Sequence, residues 1–124
     1  MNTDPTNALR TALAGGGPAL RELGRTLAGQ ADRQALVHGA SWLAENAPSA
    51  VAMPLGAAFL GWAGQHAEAA ERYEKWLEDV EAPEAWHLGQ LCRSWRKLGD
   101  PAAVWRTAAH LHPWDLAFEP RQVV

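Results

Sequence analysis

The chain has 124 residues, of which 48% are hydrophobic, and a formal net charge of −3 at pH 7. This length fits a single domain with a buried core, and the slightly negative charge gives nucleic acid or an anionic membrane no general attraction. The single cysteine, Cys92, cannot form an internal disulfide, which favours the cytoplasm as its compartment.

The composition predicts an all-α fold. Ala and Leu are abundant, Ile is absent, and the chain has none of the runs of β-branched and aromatic residues that are typical of strands. No apolar run approaches the roughly 18 residues that would span a bilayer, so we expect no membrane insertion. The bias towards Ala and Arg is typical of a GC-rich bacterial genome.

Glycine, proline and capping residues divide the chain into six to seven short antiparallel helices, which we expect to stack as helical hairpins. The predicted helices span residues 8–13, 18–29, 32–46, 49–63, 67–80, 83–98 and 101–110. Asp32 and Asp100 are expected N-caps, and the fourth helix is expected to be entered through Pro54 and interrupted by its glycines. We expect one domain over residues 1–124, with a loosely packed N-terminal helix within residues 1–16 and an extended tail over residues 114–124.

Apolar residues recur at spacings of three and four along these helices, which predicts the faces that form the core. The stripes are Leu20, Leu23 and Leu27; Leu36, Ala40 and Leu43; Ala69, Tyr73, Trp76, Leu77 and Val80; Leu88, Cys92, Trp95 and Leu98; and Val104, Ala108 and Leu111. Each amphipathic hairpin needs a neighbour to cover its apolar face, so we expect the hairpins to stack.

Residues 49–115 contain a repeat-like pattern. Its key residues are Gly64, Ala69, Tyr73 and Leu77. In type and spacing they match the glycine, the small residue, the aromatic and the apolar residue around the second helix of a tetratricopeptide repeat. Gly64 and Gly99 lie 35 residues apart, close to that repeat's period of about 34. The segment therefore resembles a tetratricopeptide-repeat protein, with Trp76 in place of a usual small residue. The resemblance implies an α-solenoid fragment of stacked helical hairpins that binds other proteins.

The seven tryptophans divide into two predicted groups. Those on apolar stripes or at repeat positions are predicted to fill the core; they are Trp76, Trp95 and Trp105. Those off the stripes are predicted to contact a partner, because Trp is enriched at binding hot spots; they are Trp42, Trp86 and Trp114. Trp62, at a hairpin turn, fits either group. We accordingly expect Trp86→Ala to weaken partner binding with little loss of stability.

Charged residues are distributed unevenly over the C-terminal half. The outer face of the fifth helix is acidic, whereas the next two helices carry Arg93, Arg96 and Arg106. One interpretation is that these faces are solvated and pair with each other across the hairpin. The other is that the three arginines bind a carboxylate-bearing peptide or chain terminus, and on this interpretation they are partner-binding residues.

No residue pattern indicates catalysis, a cofactor or a metal site. His110 and His112 stand two residues apart at a helix end, no CxxC or HExxH motif occurs, and zinc would need ligands from distant helices. Cys92 lies on an apolar stripe, so we interpret it as a buried, inert thiol rather than a nucleophile paired with His87 or His110. We therefore predict no catalytic residue, no metal and no cofactor.

The sequence predicts a non-enzymatic protein–protein interaction module, an adaptor or chaperone that binds a peptide or helix of a partner. The resemblance connects such modules with bacterial secretion systems and other multiprotein assemblies. Two alternatives remain: a structural subunit that forms a homo-oligomer through exposed Trp, and a small His- and Cys-dependent helical bundle that binds a ligand or metal. The expected partner is a protein or peptide rather than nucleic acid.

Overall fold

The computed structural model describes residues 5–110, which form seven α-helices and, within that range, no β-strand. The helices are α1 (Pro5–Gly15), α2 (Gly17–Gly29), α3 (Arg33–Asn46), α4 (Ser49–Trp62), α5 (His66–Asp79), α6 (Ala85–Lys97) and α7 (Pro101–Ala108). The predicted all-α class and the order of the helices are confirmed. The expected tail over residues 114–124 lies outside the described residues, as do Leu111, His112 and Trp114.

Helix ends follow the capping chemistry of the sequence. The Asp32 side chain accepts a hydrogen bond from the Ala35 amide at 3.1 Å and begins α3, and Asp100 accepts one from the Ala103 amide at 3.0 Å and begins α7. Such N-caps satisfy amides that have no partner within the helix. Gly64, which follows α4, has a φ of +88°, a left-handed conformation that favours glycine and turns the chain towards α5.

Helix α4 differs from the prediction, because it runs without a break and contains Pro54 in its interior rather than at its entry. A proline inside a helix removes one backbone hydrogen bond and crowds the preceding turn, which normally costs about 3 kcal/mol. Here α4 is the central helix and packs against α2, α3, α5 and α6, and every residue from 54 to 60 is buried. Packing on four neighbours therefore offsets the local cost of Pro54 and of the helix's glycines.

The helices form a sequential stack. The main contacts join helices that are one or two positions apart in the chain, and α4 contacts both α2 and α6. Helix α1 also packs against α3. Within the described residues, no helix is long and apolar enough to cross a membrane.

The core has two clusters that meet at Trp62. The first cluster joins α1 to α4, and Phe59 at its centre lies against Gly24 of α2 and Gly39 of α3. The second joins α4, α5 and α6 around Tyr73. Leu9 of α1 is buried in the first cluster.

Helix α7 presents a different face to the core from the one predicted. The prediction placed Val104 and Ala108 inward, but the buried residues are Ala103 and Thr107. Burial of Thr107 is possible because its hydroxyl donates to the Ala103 carbonyl at 2.8 Å, so no polar group is left without a partner. This change of face leaves Trp105 63% exposed, and its predicted core position is therefore wrong.

Candidate functional site

The clearest surface feature is an apolar groove of about 450 Å³ at the α6–α7 end of the stack. We call it the terminal groove, and its principal lining residues are Arg96, Asp100, Pro101, Val104, Trp105 and Ala108. Two large hydrophobic side chains are exposed in the described part of the chain, Trp105 on α7 and Leu98, 44% exposed, just after α6. Both therefore lie at the same end of the stack.

The exposure of Trp105 follows from the geometry of α7. Asp100 and Pro101 begin the helix, and Ala103 and Thr107 face the core one turn apart. Trp105 is two residues from each of these, which on an α-helix places it on the opposite side. A Trp in this position exposes a large apolar surface that a partner can bury.

The three predicted partner-binding arginines do not converge on one point. Arg96 lines the terminal groove, whereas Arg93 lines a narrow cleft beside His66. Arg106 lies next to Trp105 in sequence and forms a salt bridge of 3.9 Å with Glu74 of α5. That contact is one instance of the predicted pairing across helices, and it contributes little because both side chains are exposed. Arg96 remains without an ion pair among residues 5–110.

The electrostatic effect of these basic residues is visible at His66. Its Nδ1 lies 3.0 Å from the Ser94 hydroxyl of α6. Burial is the main cause that lowers the pKa of His66, and the positive charges of Arg93 and Lys97 lower it further. The positive charges of Arg93 and Lys97 thus lie close enough to His66 to disfavour its protonated form.

Of the predicted partner-binding tryptophans, Trp42 and Trp86 are both half-buried. Trp42 packs against the first core cluster. Trp86 makes an edge contact with Trp62, with ring centroids 5.8 Å apart, and the Arg21 guanidinium lies 4.0 Å from the centroid of its ring. Trp86 is thus part of the packing between α2, α4 and α6, and from these contacts we expect its removal to lower stability by more than the little loss that the sequence predicts.

The sequence pattern does not predict the buried imidazole of His87, which lies beside Trp86. His87 is 3% exposed, and its Nδ1 lies 2.7 Å from the Tyr73 hydroxyl oxygen. Burial is the main cause that lowers the pKa of His87 to about 4, so the ring is neutral at pH 7. Burial also raises the pKa of Tyr73 well above its usual value, and the side chain stays a phenol. From the sequence, His87 is only a possible partner of Cys92, and the two side chains form no hydrogen bond.

Cys92 is buried, and its Sγ lies 3.9 Å from the Val104 carbonyl oxygen. Burial raises the pKa of the thiol, which lowers the fraction of reactive thiolate. Within residues 5–110, no three side chains of the His, Cys, Asp or Glu types come together in a way that could hold a metal ion.

No protein-family model, no curated protein and no solved structure matches the chain. The resemblance of residues 49–115 to tetratricopeptide repeats therefore rests on the sequence pattern alone. The features that indicate a function are the terminal groove, the basic residues near it and the buried pair of Tyr73 and His87.

Proposed function

We propose that this protein is a non-enzymatic interaction module that binds an apolar peptide or helix of a partner protein in the terminal groove. The observation that carries the proposal is the 63% exposure of Trp105 beside a groove of about 450 Å³. An exposed Trp next to an apolar concavity is the usual composition of a binding hot spot, whereas a Trp that only stabilises a fold is normally buried.

The charges around the groove support a partner that carries carboxylates beside its apolar residues. Arg96 lines the groove and has no ion pair among the described residues. Arg106 does not line the groove, and among the described residues its ion pair is the long, exposed contact with Glu74. Arginine binds carboxylates with two parallel hydrogen bonds, so Arg96 can orient the bound segment.

The sequential stacking of the helices supports the same proposal. Arrays in which each element packs on its chain neighbours present extended surfaces and an open end, and such arrays commonly bind other proteins. The resemblance of residues 49–115 to tetratricopeptide repeats implies this class of function. We propose an adaptor or chaperone in the bacterial cytoplasm that serves a secretion system or another multiprotein assembly.

The proposal can be tested by site-specific photo-crosslinking in the native host. A photoreactive amino acid at position 105 should trap a defined partner that the same residue at position 33, an exposed site on α3, does not trap. The trapped protein is then produced separately and its binding to the purified module is measured. Equal trapping at both positions, or no binding by the purified pair, would contradict the proposal.

A homo-oligomer is the second candidate, because Trp105 and Leu98 expose apolar surface at the same end of the stack. A second copy of the chain can cover this end as well as a different protein can. Light scattering after size-exclusion chromatography over a range of concentrations separates the candidates. A dimer that Trp105→Ala converts to a monomer would favour self-assembly, and a monomer at all concentrations would exclude it.

A further inference from the structure

A second, smaller pocket of about 90 Å³ lies between the first turns of α2 and α6 and the first half of α4. Its polar lining comes from Gly17, Arg21, Glu84 and His87, and its apolar wall includes Val51 and Leu55. One water needs roughly 10–15 Å³ of such volume, so the pocket has room for a small molecule rather than a single water.

His87 offers this pocket a hydrogen-bond donor. The ring is 3% exposed and lines the pocket, its Nδ1 is bound to the Tyr73 hydroxyl, and its Nε2 has no hydrogen-bond partner among residues 5–110. When the phenol of Tyr73 donates to Nδ1, the proton of the neutral ring is on Nε2. An acceptor group of a ligand in the pocket can accept a hydrogen bond from this Nε2–H.

Arg21 offers a fixed positive charge. Its guanidinium stacks 4.0 Å from the centroid of Trp86, and its Nε is buried without a partner in the described structure. Its Nη2 donates to Glu84 Oε2 at 3.1 Å, with Arg21 27% and Glu84 65% exposed. The arginine is therefore held by packing, while the glutamate reaches it from solvent and can leave. The contact shows that a carboxylate fits against Arg21.

Three helices also begin around the pocket. The N-cap residues of α2, α4 and α6 are Gly16, Pro48 and Glu84, and none of them caps its helix with a side-chain hydrogen bond. The first turns of these helices carry backbone N–H groups without a side-chain cap, except that Pro18 has no N–H and the Val51 N–H donates to the Pro48 carbonyl at 2.9 Å. The helix dipoles place partial positive charge at the same end. Together with Arg21 and the His87 donor, this arrangement favours an anion.

We propose that this pocket binds a small monocarboxylate of the size of acetate or propionate. The ligand carboxylate takes the place of Glu84 on Arg21 and accepts a hydrogen bond from Nε2 of His87, and its short alkyl group packs against Val51 and Leu55. The pocket lies apart from the terminal groove and shares no lining residue with it. The proposal is therefore independent of the proposed protein-binding function.

The test is a titration of the full chain with sodium propionate against sodium chloride at the same ionic strength. Two readouts are followed, the side-chain nitrogen signals of His87 and Trp86 by NMR and the melting temperature. We expect saturable shifts of these signals and a rise in melting temperature that chloride does not produce.

Variants of the two salt-bridge partners should act in opposite directions. Arg21→Gln should weaken propionate binding roughly tenfold or more, because the charged hydrogen bonds are lost. Glu84→Gln should tighten it by roughly two- to fivefold, because the competing carboxylate is removed. The matched control is the neighbouring exposed pair of Arg25 and Glu22 on α2, whose substitution by Gln should leave the affinity unchanged.

Three outcomes would overturn the proposal. They are the absence of a saturable response to propionate, weaker binding by Glu84→Gln, and equal binding of inorganic phosphate. A short peptide with a free C terminus and its amidated form distinguish a chain terminus from a small acid as the source of the carboxylate. If the free peptide binds and propionate does not, a small-acid ligand is contradicted. If Arg21→Gln does not fold, the affinity of Glu84→Gln for propionate and the comparison of propionate with phosphate and the two peptides still test the proposal.

Discussion

The Tyr73 hydroxyl lies 2.7 Å from Nδ1 of His87, and this hydrogen bond joins α5 to α6 inside the second core cluster. Both side chains are buried, so neither polar atom can find water as a substitute. Trp76 and Trp86 pack against the same imidazole, with ring centroids 5.4 and 4.8 Å from it. The pair thus fixes the arrangement of the two helices at the centre of an aromatic cluster.

Tyr73→Phe should lower the free energy of unfolding by about 1–3 kcal/mol, because it leaves Nδ1 of His87 buried without a partner. Urea denaturation monitored by circular dichroism measures the loss. In a double-mutant cycle with His87→Phe, the two substitutions should be less than additive, since each removes the same hydrogen bond. Strictly additive losses would mean that the bond contributes nothing to stability.

The buried imidazole should make stability depend on pH. The pKa of His87 is lowered from 6.5 to about 4 in the folded protein, so between these pH values the unfolded chain binds a proton that the native chain does not. The free energy of unfolding should therefore fall as the pH falls through this window, by about 3 kcal/mol in total, and this contribution should be constant above pH 6.5.

The measurement is a series of urea denaturation curves between pH 4 and pH 7.5. In His87→Gln, whose side chain can still accept from Tyr73, this part of the pH dependence should disappear. His38→Gln, at an exposed position on α3, is the matched control and should retain it. Equal slopes in the wild type and His87→Gln would show that His87 is not responsible.

Two glycine-to-alanine substitutions should change stability in opposite directions. A Cβ at Gly39 would lie 2.8 Å from two ring atoms of Phe59, which is fully buried and cannot retreat, so Gly39→Ala should cost about 1–3 kcal/mol. A Cβ at Gly89 in α6 meets no heavy atom within 4 Å, and Gly89→Ala should gain up to about 1 kcal/mol through helix propensity. Thermal unfolding of both variants checks this, and a shift of the same sign would contradict the packing of Phe59 against α3.

Trp86→Ala should destabilise the fold by about 2–4 kcal/mol, because it removes contacts with Trp62 and His87 and the surface on which Arg21 stacks. This expectation replaces the one drawn from the sequence, in which Trp86 was a free binding residue. Chemical denaturation of the variant measures the change. A loss below about 0.5 kcal/mol, typical of exposed positions, would indicate that Trp86 is available to a partner after all.

Local chemistry explains why most of the fold could be predicted. The N-caps at Asp32 and Asp100 and the turn at Gly64 depend on a few neighbouring residues, and they place the helix ends within one or two residues. The prediction that α4 is entered through Pro54 is wrong because packing on four helices offsets the local effect of the proline. These contacts come from distant parts of the chain and cannot be seen in the neighbouring sequence. Stripes on long helices such as α3 were also predictable, since Leu36, Ala40 and Leu43 are all buried.

The site was harder to predict, because it depends on the rotation of a short helix. In α7 two faces carry small or apolar residues one turn apart, and hydrophobicity alone favours the face with Val104 over the one with Thr107. The hydrogen bond of Thr107 to Ala103 allows the Thr107 face to be buried, and with that face inward Trp105 is exposed. The pair of Tyr73 and His87 lies on two different helices, and nothing in either local sequence indicates the contact.

The most direct test of the proposed function is the affinity of the purified module for the partner segment trapped at position 105. Isothermal titration calorimetry should show that Trp105→Ala weakens binding roughly tenfold or more while the melting temperature stays within about 2 °C of the wild type, because the side chain is mostly exposed. Arg96→Glu should weaken binding to an acidic segment, and Arg33→Glu, with the same charge change on an exposed site of α3, should not. Unchanged affinity of Trp105→Ala would contradict the claim that the terminal groove is the binding surface.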